Sequence, residues 1–196
     1  MEFISKILFG IANSLLIPDI ILLIALLIRA IILLGSFYAQ FSIRRKNIKL
    51  LQEAIDKASE YSPEELLELL PKSDNSLVIP YLRELLEHYQ DEDYTEYVIA
   101  NFENRVVKDL AISRILSKMG PVLGLAGTLI AMSPALVGLS TGDIAGMAFN
   151  MQVVFSTTVV GLVISSVGII TLQYKQRWYD KDVNNLLYLS RVFLSK

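Results

Sequence analysis

Apolar and polar positions fall in long blocks along this chain, not in the alternation of strands. Residues 20–39 form an aliphatic run broken only by Arg29, and about 20 helical residues cover a hydrocarbon core. Residues 1–19 ahead of it read as an amphipathic segment on the outer side, with Pro18-Asp19 as a helix-start signal. The basic stretch and small-residue cleavage site of a signal peptide are missing, so this end is expected to stay attached. A second apolar block lies between Lys118 and Lys175, where the only charge is Asp143. Turn-forming residues from Gly138 to Gly146 interrupt it. The pattern predicts two spanning helices, 119–139 and 147–174, joined by an outer loop over 140–146.

Residues 40–118 show helical rather than period-two spacing. Ile48, Leu51, Ile55 and Ala58 mark one helix face over 43–60. Ser62-Pro-Glu-Glu65 is a capping box with proline at the first helical position, opening a helix over 64–70. A third helix is expected over 79–89, and a fourth from about Thr95 with no breaker before Gly120-Pro121. The tail, 175–196, reads as an extension of span three. The basic residues fix the orientation. Arg44, Arg45, Lys46 and Lys49 follow the first span, Arg105, Lys108, Arg114 and Lys118 precede the second, and Lys175, Arg177 and Lys181 follow the third. The outer loop has no Lys or Arg. The N-terminus is therefore expected outside, with 40–118 and the tail in the cytoplasm. The expected fold class is all-α: an integral membrane protein with three transmembrane helices, a cytoplasmic helical domain between spans one and two, and long helices carrying spans two and three into the cytoplasm.

Composition supports this and removes other classes. Hydrophobic residues make up 53% and charged residues 19%, below the quarter typical of soluble domains. With no cysteine and one histidine, disulfide frames, thiolate nucleophiles and most zinc chemistry are excluded. A net charge of −2 gives no footprint for nucleic acid, and no cofactor or metal site is expected. Residues 40–118 hold 15 Asp/Glu against 11 Lys/Arg, which reads as a solvated helical bundle or a docking surface. His88, among Glu87, Asp91 and Glu92, reads as a surface residue, and Asp143 as a turn and cap residue.

Within span two, Gly120, Gly124, Gly127, Ala131 and Ala135 recur at spacings of four and three, on one helix face. Such a stripe lets neighbouring backbones approach. Thr128 borders it and is either an ion-path hydroxyl or bonded back to its own helix. In span three, Asn150, Thr157, Gly161 and Gly168 share a face, with Thr158 and Ser165 beside it. Asn150, Thr128, Thr157, Thr158 and Ser165 are the candidate pore-lining residues; Gly124, Gly127, Ala131 and Gly161 are the candidate packing positions around a partner helix. Arg29 is a charge within a span, either snorkelling to the headgroups or paired with a neighbouring chain. The spans contain no carboxylate by this reading, so a partner must bring the acid if protons are used.

Pro121-x-x-Gly124-Leu-x-Gly127-Thr128 and Ser156-Thr157-Thr158-Val-Val-Gly161-Leu162 resemble the second- and third-span signatures of the MotA/TolQ/ExbB proton channel family. The order of spans resembles the TolQ/ExbB branch. The resemblance implies a homo-pentamer whose second and third spans surround the single spans of two partner subunits similar to TolR, ExbD or MotB. Each partner would bring a membrane aspartate, and ion flow would drive rotation. Thr158 and Thr128 match the family's third- and second-span threonines, while Gly124, Gly127 and Gly161 would allow the close approach. The transported ion implied is H+, with Na+ left open. The location implied is the inner (cytoplasmic) cell membrane, crossed several times. One departure stands out: TolQ and ExbB carry a glutamate where this chain has Val153.

A second expectation is a membrane scaffold that oligomerises through its Gly/Thr faces and passes no ions. An intramembrane enzyme is rejected, since the spans hold no Ser paired with Lys or His and no pair of acids.

Overall fold

The computed structural model describes residues 2–56, 61–70 and 76–194. Its elements are five helices among the described residues: α1 (Glu2–Asp56), α2 (Pro63–Leu69), α3 (Val78–Glu87), α4 (Glu92–Thr141) and α5 (Ile144–Leu194). Three of them, α1, α4 and α5, are long and apolar enough to cross a membrane. The all-helical expectation holds. The uninterrupted passage of α4 through Gly120-Pro121 and of α5 to Leu194 holds as well.

Several boundaries differ from the sequence reading, and the loop expected over 140–146 shrinks to the two residues between α4 and α5. Pro18 does not start a helix, because α1 runs through it from Glu2. Proline removes one N–H, but unwinding in apolar surroundings would leave more backbone groups unpaired than the single bond lost. The fourth helix starts at Glu92 instead of near Thr95, because Asp91 caps it: its Oδ1 accepts from the Tyr94 N–H at 3.1 Å. The third helix covers Val78–Glu87, slightly offset from 79–89. The capping box is as expected: Ser62 Oγ accepts from the Glu65 N–H at 3.3 Å, and Glu65 Oε2 from the Ser62 N–H at 2.9 Å. The end of the helix expected over 43–60 lies partly outside the described residues.

The chain divides into two compact units. The first comprises Met1–Leu34 and Ile112–Leu172. Its buried centre holds Leu23, Ala30 and Leu33 from α1, Leu116 from α4 and Ile164 from α5. Large apolar side chains cover its outside, among them Ile24, Ile28, Leu125, Leu129, Phe155 and Leu162. An apolar exterior around an apolar centre suits a surface wetted by lipid or by other helices.

The second unit comprises Gly35–Ala111 and Gln173–Lys196. Here Leu66, Val78, Leu82, Leu85 and Leu86 of the short helices and Val98 and Phe102 of α4 are buried. From α5 the buried positions Lys175, Tyr179, Asp182, Leu186, Leu189 and Phe193 follow each other at spacings of four and three. That is the seam of a coiled-coil-like packing.

Candidate functional site

The first unit is built around a close α4–α5 contact. A Cβ added at Gly120 would sit 2.6 Å from the Gly161 carbonyl oxygen, and one at Gly124 3.1 Å from the Thr157 carbonyl oxygen. One added at Gly161 would lie 2.9 Å from Gly124 Cα. At these positions backbone meets backbone, so a side chain larger than hydrogen has nowhere to go. Ala131 and Ala135 continue the stripe and are buried. At Gly120 and Gly124 the stripe read from the sequence is therefore an intramolecular seam between α4 and α5, while Gly127 meets α1 as well as α5.

Hydroxyls reinforce the seam. Ser165 Oγ donates to the Ser117 carbonyl at 3.0 Å, and Thr171 Oγ1 lies 3.1 Å from Ser113 Oγ. Both bonds cross from α5 to α4, the interhelical use of small polar residues expected in membranes. Thr157 is buried, and its Oγ1 donates to the Val153 and Val154 carbonyls at 3.1 Å. Thr158 donates to the Val154 carbonyl at 3.1 Å, and Thr128 to the Leu125 carbonyl at 2.6 Å. Asn150 Nδ2 donates to the Gly146 carbonyl at 2.8 Å.

Thus the candidates separate by position. Thr157, Ser165, Gly124, Gly127 and Gly161 come together where α4 meets α5, Ala131 is buried, and Thr128, Thr158 and Asn150 are half-exposed. Arg29 is exposed on α1. Asp143 is a cap, its Oδ1 accepting from the Gly146 N–H at 2.9 Å, and His88 is exposed. No cluster of His, Cys, Asp or Glu able to hold a metal ion occurs among the described residues.

Two arrangements were not visible in the sequence. The first is Asp19, which is 6% exposed. Its Oδ2 is buried without a hydrogen-bond partner among the described residues, and it reaches the backbone of α4 at Gly127. Its neighbour Pro18 makes it look like the polar start of a helix, and only the contact with α4 reveals its place.

The second lies in the other unit. Arg44 grips Asp182 with both ends of its guanidinium, Nη1 to Oδ2 at 2.8 Å and Nη2 to Oδ1 at 2.5 Å, and donates to the Trp178 carbonyl at 3.1 Å. The Arg44 guanidinium also lies 5.4 Å over the Trp178 ring, which stacks on Phe37. Lys175 Nζ and Tyr179 Oη both donate to Asp109 Oδ2, at 2.9 and 2.6 Å. Burial pushes the Asp182 carboxyl upward from its usual range, while the Arg44 guanidinium pulls it back. Burial, then the bond to Asp109, pushes the Tyr179 phenol far above its usual range, so it stays a donor. Charge counting used Arg44 and Lys175 only to orient the chain.

No curated protein and no solved structure matches the chain. A family model does, over residues 73–186, which takes in α3, all of α4 and most of α5. Its members are channel proteins, not enzymes, and work with ExbD/TolR/MotB-like partners. With three candidate spans, a glycine seam and a match over more than half its length, the chain is a multi-pass membrane protein that belongs to the MotA/TolQ/ExbB proton channel family.

Proposed function

We propose that this chain is the ring-forming subunit of a TolQ/ExbB-like motor: a homo-pentamer around two single-span, TolR/ExbD/MotB-like partner helices, converting ion flow into rotation. The observation that carries the reading is the family match falling on α3, α4 and α5, where Thr128 and Thr158 stand half-exposed beside the glycine seam. Three candidate spans among the described residues favour this branch over the four-span flagellar one. The positive-inside pattern supports an outer N-terminus and an outer 140–146 hairpin.

In this reading the seam holds each α4–α5 hairpin rigid, and the half-exposed hydroxyls meet the partner's aspartate. Each hydroxyl donates to its own helix and keeps lone pairs free to accept. Gly124, Gly127, Ala131 and Gly161 serve the partner indirectly, by setting the hairpin's shape. Arg29, exposed on α1, is a position for snorkelling or for an acid of an adjacent subunit.

The test is native mass spectrometry of the detergent-solubilised protein, alone and coexpressed with the membrane protein encoded beside it. Five copies, joined by two of a small single-span partner, is the expected result. A monomer or dimer that captures nothing sinks the motor in favour of a scaffold. In the assembled complex, Thr158→Val should abolish ion flux in vesicles while leaving the stoichiometry unchanged. Undiminished flux would remove Thr158 from the pathway.

A further inference from the structure

Asp19 is a buried carboxyl that neither the seam nor the partner interface employs. It lies in the first unit with Gly127 of α4 and Thr157 of α5. A Cβ at position 127 would stand 2.7 Å from Asp19 Oδ2 and 2.9 Å from Thr157 Cβ, so the missing side chain of Gly127 makes the notch that admits the carboxyl. Gly127 and Thr157 are each fifteen residues from Gly142 at the hairpin tip, about 22 Å at the helical rise. That depth is well inside the apolar block.

We infer that Asp19 is a proton-binding carboxyl of this chain, housed in the notch that Gly127 leaves between α1, α4 and α5. An ionised carboxylate with an unpartnered oxygen is expensive in apolar surroundings, and uptake of one proton on Oδ2 removes that charge. The facing groups offer no other compensation. Gly127 and Thr157 do not titrate, the single charge from 119 to 174 is Asp143 at the hairpin, and the next charge along α1 is Arg29, ten residues on. The notch also selects against a metal cation. A hard cation gathers several oxygens at once, whereas Thr157 offers the notch Cβ and Cγ2 while its hydroxyl donates to Val153 and Val154.

That Asp19 serves the ion path rests on the motor reading; that it binds a proton does not. The stretch before it, Ile7 to Ile17, apolar except for Asn13 and Ser14, then belongs with the membrane-embedded part of α1.

The experiment uses the full chain in lipid vesicles treated with dicyclohexylcarbodiimide, which adds to protonated carboxyls in apolar settings, followed by peptide mass spectrometry. An adduct on Asp19 is expected, its yield falling about tenfold per pH unit above the midpoint of titration. Asp19→Asn should lose the adduct and Asp19→Glu should keep one. Gly127→Ala, compared with wild type at equal helicity, should cut the yield, because its Cβ fills the notch. No adduct on Asp19 in the folded wild type, a yield independent of pH, or protection by sodium at fixed pH would each overturn the inference. The two readings fail separately. Labelling without partner capture removes the motor and keeps the proton site, whereas an ion-conducting complex with Asp19 unlabelled at every pH removes the site and keeps the motor.

Discussion

At Gly161 one hydrogen atom decides whether α4 and α5 can touch. A Cβ there would stand 2.5 Å from the Gly120 carbonyl oxygen, and backbone on both sides cannot step aside as a flexible side chain could. Gly161→Ala is therefore expected to destabilise the hairpin by about 1–3 kcal/mol, as overpacking does, read as a lower apparent Tm in detergent. Gly35 supplies the control. Nothing lies within 4 Å of a Cβ there, so Gly35→Ala should be neutral or stabilise by about 0.5–1 kcal/mol through helix propensity. Equal effects at the two sites would mean the seam is looser than its geometry. Tyr179 makes a second prediction. Its phenol pKa is raised in the folded state by burial and by the bond to Asp109, so the unfolded chain loses that proton first, near pH 10. The stability contributed by the hydroxyl is complete below that pH and is lost as pH rises beyond it. Tyr179→Phe should be less stable than wild type at neutral pH by about 1 kcal/mol, and thermal unfolding at stepped pH should show that gap closing in alkali.

The hairpin between α4 and α5 is the element most completely written in local sequence. Gly142 takes φ +78°, its N–H donates to the Leu139 carbonyl at 3.3 Å, and the Asp143 N–H donates to the Gly138 carbonyl at 2.9 Å. These two bonds close α4 as a Schellman motif, and Asp143 at once caps α5 through Gly146. Asp143→Ala should cost about 1 kcal/mol, measured as a lower Tm, with Asp143→Asn retaining most of it; an unchanged Tm in the alanine variant would remove the cap from the hairpin's stability. The apolar blocks were legible for a related reason, since a membrane leaves a chain little choice but long, internally bonded helices. The glycine stripe was legible as a close-approach face, and Gly120 and Gly124 meet Gly161 of α5 in the same chain. Elements whose evidence is distant were not legible. The start at Glu92 hung on one aspartate among several acids. Asp19 looked like the cap of a helix that in fact runs through it, and its role depends on a glycine more than a hundred residues away.

Across the whole molecule, two kinds of cohesion follow from two solvents. In the first unit large apolar residues lie on the outside as well as in the centre, and small residues with shared hydroxyls bring α4 and α5 together, because lipid gives no hydrophobic drive between helices. In the second unit leucines and aromatics fill the interior in the ordinary way, and two ion pairs join segments far apart in sequence, Arg44 with Asp182 and Lys175 with Asp109. The Asp182 side chain is 1% exposed and that of Arg44 18%, so each depends on the other once folded. Removing one partner strands a charge, whereas replacing both with apolar groups of similar volume strands none. Asp182→Ala should therefore cost about 3–5 kcal/mol, an apparent Tm loss on the order of 10 °C for a chain of this size. The double variant Arg44→Met with Asp182→Leu should recover much of it, with Met packing on Trp178 where the guanidinium lay. Thermal unfolding of the wild type, Arg44→Met, Asp182→Leu and the double variant forms a complete cycle. Strict additivity would mean that the pair does not couple α1 to α5 and that the apolar seam of Leu186, Leu189 and Phe193 holds the unit without it.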